Sequence, residues 1–186
     1  TPHVDEKEAT IEIRSEITND ATEKATLEVI HQIYDPQGKL QQTLKQRLSV
    51  KAGETQTVRK TSAIGQPQLW SPESPRLYEI VTTLRNPKTG MELDRSTHKT
   101  GFRWFSFDGE KGFSLNGKPY KLRGVNRHQD QAPVGVALDD EAHRRDIRLI
   151  KEMGCNFIRI AHYPQDDALV EACDEMGLLA LSLIHI

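Results

Sequence analysis

The residues in this sequence that could do chemistry are concentrated in two short polar stretches, "NRHQD" at residues 126–130 and "RIAHYPQDD" at residues 159–167. Together they hold two imidazoles (His128 and His162), the Asp130 carboxylate, the Asn126 amide and the Arg159 guanidinium. Such a set can donate, accept and transfer protons and can hold a polar or charged group, which suits a binding or acid–base site. Taken singly, each residue has a plainer role: a histidine hydrogen-bonded within a fold, an aspartate turning the chain, an arginine snorkelling to the surface along its aliphatic stem. Arg159 resists that reading most, because it interrupts the apolar run "NFIRIA", where an unpaired charge costs several kcal/mol. It calls for a carboxylate, and "FIRIA" supplies none, so the partner is expected from another strand.

The elements around these stretches explain why they should meet. "YKLRGV" and "NFIRIAHY" read as strands, and "DDEAHRRDIRLIKEMG" reads as a helix with Asp139, Asp140 and Glu141 at its positive end and Gly154 as its stop. "PQDDALVEACDEMG" carries Leu169, Ala172, Cys173 and Met176 at i, i+3, i+4 and i+7, a second helix closed by Gly177. Strand, helix, strand, helix and the apolar run "GLLALSLIHI" imply a parallel sheet with right-handed crossovers. Function in such sheets collects at the carboxyl ends of the strands. Neighbouring parallel strands lie about 4.8 Å apart, so Asn126, His128 and Asp130 can face Arg159 and His162 along one rim. Residues 159 and 162 have opposite parity in a regular strand, so both reach the rim only if the strand ends before "HYP", which Pro164 favours.

The first hundred residues read differently. In "ATIEIRSEITND", Ile11, Ile13 and Ile17 share one face, and in "TLEVIHQIYD", Leu27, Val29 and Ile33 do. "DPQGKL" and "NPKTGMELDR" are strand-to-strand turns built on Pro and Gly, and "LNGK" is a hairpin signal. Short strands with frequent turns and no helical period predict an antiparallel, immunoglobulin-like β-sandwich of about 100 residues.

The remaining features mainly exclude. A formal net charge of −2, with acidic and basic residues interleaved, leaves no electrostatic footprint for nucleic acid or an anionic membrane. Cys155 and Cys173 lack CxxC spacing and read as small buried hydrophobes. There is no GxGxxG, P-loop or GxSxG, and His98, Lys99 and Thr100 have no partner pattern. Trp70, Trp104 and Phe105 could stack on a sugar but read first as packing residues. The sequence opens at Thr1 with neither an initiator methionine nor a basic-then-apolar leader, and no compartment is assigned.

Four ordered segments, "LWSPESPRLYEI", "GFRWFSFDGEKGFSLNGKPYKLRGVNRHQD", "RRDIRLIKEMGCNFIRIAHYP" and "CDEMGLL", resemble glycoside hydrolase family 2, and within it the β-galactosidases most closely. The resemblance implies an immunoglobulin-like sandwich over residues 1–103, followed over residues 104–186 by the first β/α units of a catalytic TIM (β/α)8 barrel. It implies that His128, Asp130 and His162 hydrogen-bond hydroxyls of the non-reducing-end sugar, that Asn126 shapes the rim, and that Arg159 pairs with the nucleophilic glutamate. A retaining enzyme of this kind uses two glutamates about 5–5.5 Å apart. Neither is matched in this chain, so the complete protein is expected to be a glycosidase and this segment alone inactive.

The same resemblance brings Mg or Na ions as cofactors of the complete enzyme, with no ligand set visible in this segment, and a homo-oligomeric assembly. The expected substrate is a terminal β-D-galactoside. β-Glucuronidase and β-mannosidase share the architecture, and a non-catalytic sandwich module is the rival from another class. Finally, residues 181–186, "LSLIHI", resemble the translation of a sequencing-library adapter and are expected not to be native barrel sequence.

Overall fold

The structure is a computed structural model that describes residues 1–132 and 134–182. The chain divides into two compact units, one holding Thr1–Gln68 and Leu77–Phe102, the other Leu69–Arg76 and the chain from Arg103 onward.

The first unit is a sandwich of two antiparallel sheets. Its strands are β1 (His3–Val4), β2 (Glu8–Thr18), β3 (Ala25–Tyr34), β4 (Leu40–Val50), β5 (Thr55–Gly65), β6 (Tyr78–Arg85) and β7 (Glu92–Thr100), arranged as β1-β2-β5 and β4-β3-β6-β7. The alternation in β2 works as the sequence predicts, with Ile11, Ile13 and Ile17 buried. Ile17, Leu27, Val29, Val50 and Val58 form one apolar cluster. Strand β3 departs from simple alternation: besides Leu27, Val29 and Ile33, it also buries Glu28, Ile30 and His31. Its position between β4 and β6 explains this, since Arg85 of β6 binds the Glu28 carboxylate and Arg47 of β4 stands 3.8 Å from it.

His31 falls on the core-facing parity of β3, fully buried, with Nδ1 2.9 Å from the Thr82 hydroxyl. Burial first, and the nearby Lys60 charge second, push its pKa below the ordinary 6.5.

The second unit opens with a small antiparallel sheet of β8 (Phe105–Asp108), β9 (Gly112–Leu115) and β10 (Lys118–Pro119). Asn116 and Gly117, at φ 50° and 75°, make the predicted hairpin turn. The chain then runs β11 (Gly124–Arg127), α1 (Asp140–Glu152), β12 (Phe157–Ile160), α2 (Asp167–Met176) and β13 (Leu179–Leu181), the three strands forming one parallel sheet in that order. Both helices are capped by aspartate: Asp139 accepts from the Ala142 N–H and Asp166 from the Ala168 N–H. Ile147, Ile150, Ile158, Ile160, Leu169, Ala172, Cys173 and Leu178 form the core, with Val125, Cys155 and Met176 against it. Both cysteines are free, and burial pushes the Cys173 thiol up to about 12, which keeps it inert. This is the start of a TIM barrel, and no closed barrel exists among the described residues. No helix among them is long and apolar enough to cross a membrane.

Two strands are shorter than the sequence pattern suggests, each because a side chain takes over the backbone's hydrogen bonds. "YKLRGV" becomes strand only from Gly124, since the Asn156 amide donates to the Lys121 carbonyl (2.9 Å) and accepts from the Arg123 N–H (2.8 Å). "NFIRIAHY" ends at Ile160, beyond which the Gln165 amide donates to the carbonyls of Ala161 (3.2 Å) and Tyr163 (2.9 Å). The expectation about residues 181–186 meets the described structure only at Leu181, the end of β13, and Ser182; residues 183–186 lie outside it.

Segment 69–76 is built into the second unit. Trp70 is buried and donates its indole N–H to the Asp174 carbonyl at 2.8 Å, while the Arg103 guanidinium lies 4.8 Å over its ring, so Trp70 packs the core and is no sugar platform. Lys151 Nζ donates to the carbonyls of Pro72 (2.7 Å) and Gly177 (2.8 Å). Gly177 has φ +78°, and a Cβ there would stand 2.3 Å from the Pro72 oxygen. Gly177→Ala combines a left-handed backbone penalty of about 1–2 kcal/mol with a backbone clash, and should lower the urea midpoint by more than that penalty alone.

The His31 shift also has a sign. A lowered folded pKa means that the unfolded chain binds the proton first, so the contribution is complete above pH 6.5 and is lost as pH falls through the lowered folded value. The urea midpoint of wild type should fall in that window, and His31→Leu should show a shallower slope there.

Candidate functional site

In-register parallel pairing places Gly124 against Phe157, Val125 against Ile158, Asn126 against Arg159 and Arg127 against Ile160. Val125, Ile158 and Ile160 belong to the core shared with the helices, so strand alternation turns Asn126 and Arg159 to the opposite face, side by side. Beyond the strand ends the chain bends, and the parity conflict between residues 159 and 162 disappears: Arg159 Nη2 lies 3.4 Å from His162 Nδ1. The His128 ring stands edge-on to His162 at 6.1 Å between centroids and 6.3 Å from the Tyr163 ring. His128 and His162 are exposed and Arg159 half-buried.

Four of the five expected residues therefore gather at the carboxyl ends of β11 and β12. Asp130 lies in the segment after β11, exposed and without a side-chain partner among the described residues. Arg159 has no carboxylate partner among the described residues, so the charge that its place in an apolar strand demands is not supplied here.

Sequence reasoning passed over three groups. Arg127, which strand alternation turns to the helix side, buries its guanidinium against α1 and donates from Nε (3.2 Å) and Nη2 (2.9 Å) to Asp146 Oδ2. His143 Nδ1 lies 3.1 Å from the same Nη2. Tyr163 accepts the Gln129 N–H on its hydroxyl at 2.8 Å and so ties one rim stretch to the other. The available signal was parity: in a strand whose 126 and 128 side chains face one way, 127 must face the helices and needs an acid from them.

No three His, Cys, Asp or Glu side chains among the described residues are arranged to hold a metal ion.

A β-sandwich followed by the opening strands of a parallel α/β barrel, with its polar groups at the strand carboxyl ends, is the construction of a barrel enzyme carrying a sandwich module. Residues 1–103 match glycosyl hydrolases family 2, and residues 108–183 match the TIM barrel domain of the same family. The chain belongs to glycosyl hydrolases family 2. It is 61% identical to a solved Bacteroides uniformis beta-glucuronidase 2 over 97% of this chain and 22% of that one, with a TM-score of 0.95. It is 34% identical to the beta-galactosidase BoGH2A of Bacteroides ovatus over 97% of this chain and 21% of the relative, and 47% identical to a putative beta-glucuronidase of Formosa agariphila over 62% and 14%. The chain thus spans about a fifth or less of the length of these relatives.

Removing one partner of a buried ion pair leaves a charge stranded, at about 3–5 kcal/mol. Asp146→Ala should cost that much in chemical denaturation, and Asp130→Ala, at an exposed and unpartnered position, should cost under about 0.5 kcal/mol.

Proposed function

We propose that this segment supplies the non-reducing-end sugar subsite of a retaining β-glycosidase whose substrate is a β-D-glucuronide. The observation that carries this reading is the 61% identity over 97% of the chain to a beta-glucuronidase whose structure is described as covalently bound to cyclophellitol-6-carboxylate aziridine. It replaces β-galactoside as the first choice of sugar. The β-galactoside remains the second reading, favoured by the 34% identity over 97% of the chain to the Bacteroides ovatus enzyme.

In this mechanism His128, Asp130 and His162 hydrogen-bond sugar hydroxyls, and Asn126 shapes the rim beside them. A polyol in a hydrogen-bonding rim is held by many directional contacts, and an analogue that leaves one rim group unpaired is penalised. Arg159, held beside His162, directs its guanidinium to the face away from the helices, where it would pair with the catalytic carboxylate of the complete protein and keep it ionised for attack. That carboxylate and a second acid/base glutamate, about 5–5.5 Å apart, complete the double displacement. Mg or Na ions and homo-oligomerisation belong to the same reading of the complete protein.

The test is hydrolysis of p-nitrophenyl β-D-glucuronide and p-nitrophenyl β-D-galactoside by the complete protein. The glucuronide should be preferred by at least about a hundredfold in kcat/KM, and His162→Ala should lower that value roughly a hundredfold. The reverse preference would select the galactoside, and silence on both would overturn the glycosidase reading. The 186-residue chain alone should turn over neither.

A further inference from the structure

Asn126 and His128 flank a residue that points the other way. Arg127 is buried, and its guanidinium is only 5% exposed, on the helix side of β11. Its Nε and Nη2 converge on Asp146 Oδ2 of α1. The same carboxylate accepts from Gln131 Nε2, at 3.2 Å on Oδ1 and 3.4 Å on Oδ2, and Gln131 Oε1 in turn accepts from Arg145 Nη2 at 2.7 Å. One carboxylate on a helix therefore grips the chain just before and just after His128, Gln129 and Asp130. The Arg127 backbone joins in as well, its carbonyl accepting the N–H of Ala161, the residue before His162, at 3.1 Å.

We propose that Arg127 is a positioning residue for the sugar subsite: through Asp146 it fixes the direction in which Asn126, His128 and Asp130 are presented, and it does not itself touch substrate. The proposal rests on the glycosidase reading above. Its physical basis is the difference between stability and direction. A buried ion pair can be exchanged for apolar side chains of similar volume with little loss of stability, because the charges no longer have to be desolvated. A guanidinium fork, however, fixes its partner in a plane and at an angle that apolar contacts do not reproduce. The core beneath the rim is already supplied by Ile147, Ile158 and Ile160, so the ion pair is not needed to fill it.

The experiment compares the complete wild-type protein with the double variant Arg127→Met/Asp146→Leu and the single variant Arg127→Lys, by thermal unfolding and by kinetics on p-nitrophenyl β-D-glucuronide and β-D-galactoside well below the melting temperature. For the double variant the expected result is a melting temperature close to wild type with kcat/KM lower by about a hundredfold, KM rising at least about tenfold. Arg127→Lys keeps a charge beside Asp146 but loses the fork, so it should fall between the two. A folded double variant with wild-type kcat and KM would reduce Arg127 to a structural role, and wild-type kinetics in Arg127→Lys would overturn the proposal even if the double variant fails to fold. Wild-type protein inactive on both substrates would instead remove the glycosidase reading, and this proposal with it.

Discussion

The functional half of this chain depends on one constraint, the close parallel pairing of Gly124–Arg127 with Phe157–Ile160. Its first rung admits no side chain: a Cβ on Gly124 would stand 2.1 Å from the Phe157 carbonyl oxygen. Once that rung is closed, the register places Asn126 beside Arg159, and alternation sorts every other residue. Val125, Ile158 and Ile160 go to the helices and their apolar core, while the amide and the guanidinium go to the other face. Slipping one strand by one residue would turn Asn126 or Arg159 in among the isoleucines, which is why so short a pairing is so strongly specified.

The rim above that pairing is held by polar side chains and not by more strand. Gln165 and Tyr163 each occupy backbone donors or acceptors that a longer ladder would have used. The chain is thereby released from strict alternation just where His128 and His162 must approach each other. Asp146 adds the connection to α1, so the rim is fixed from the sheet below and from the helix layer behind. Side chains held this way have little freedom left to lose, which is the condition under which hydrogen bonds to a bound group convert into affinity.

Much of this was legible in the residues. The acidic start of the first helix, the glycine stops at 154 and 177, the apolar stripe of Leu169, Ala172 and Cys173 and the Asn116-Gly117 turn are local signals, each acting within a few residues. The resemblance to family 2 and the two polar stretches were legible for the same reason, as ordered motifs. The strand ends were not, because they were decided by Asn156 and Gln165, whose acceptors and donors are chosen only when the backbone has folded around them. Nor was the burial of both faces of β3, which follows from its neighbours β4 and β6 and not from its own alternation. The choice of sugar was not legible either, since relatives named galactosidase and glucuronidase both match this chain.

By itself, then, the sequence determined which segments become strand or helix and which face of each is apolar, since those properties follow from local periodicity and capping. Only the tertiary structure decided that Arg127 is the buried cation of "NRHQD", that Asp146 is its partner, and that Arg159 and His162 meet despite their parity. Those are contacts between groups brought together by sheet register and helix packing, and a charge or an amide is recognisable as satisfied or as waiting for a partner only after its neighbours are in place.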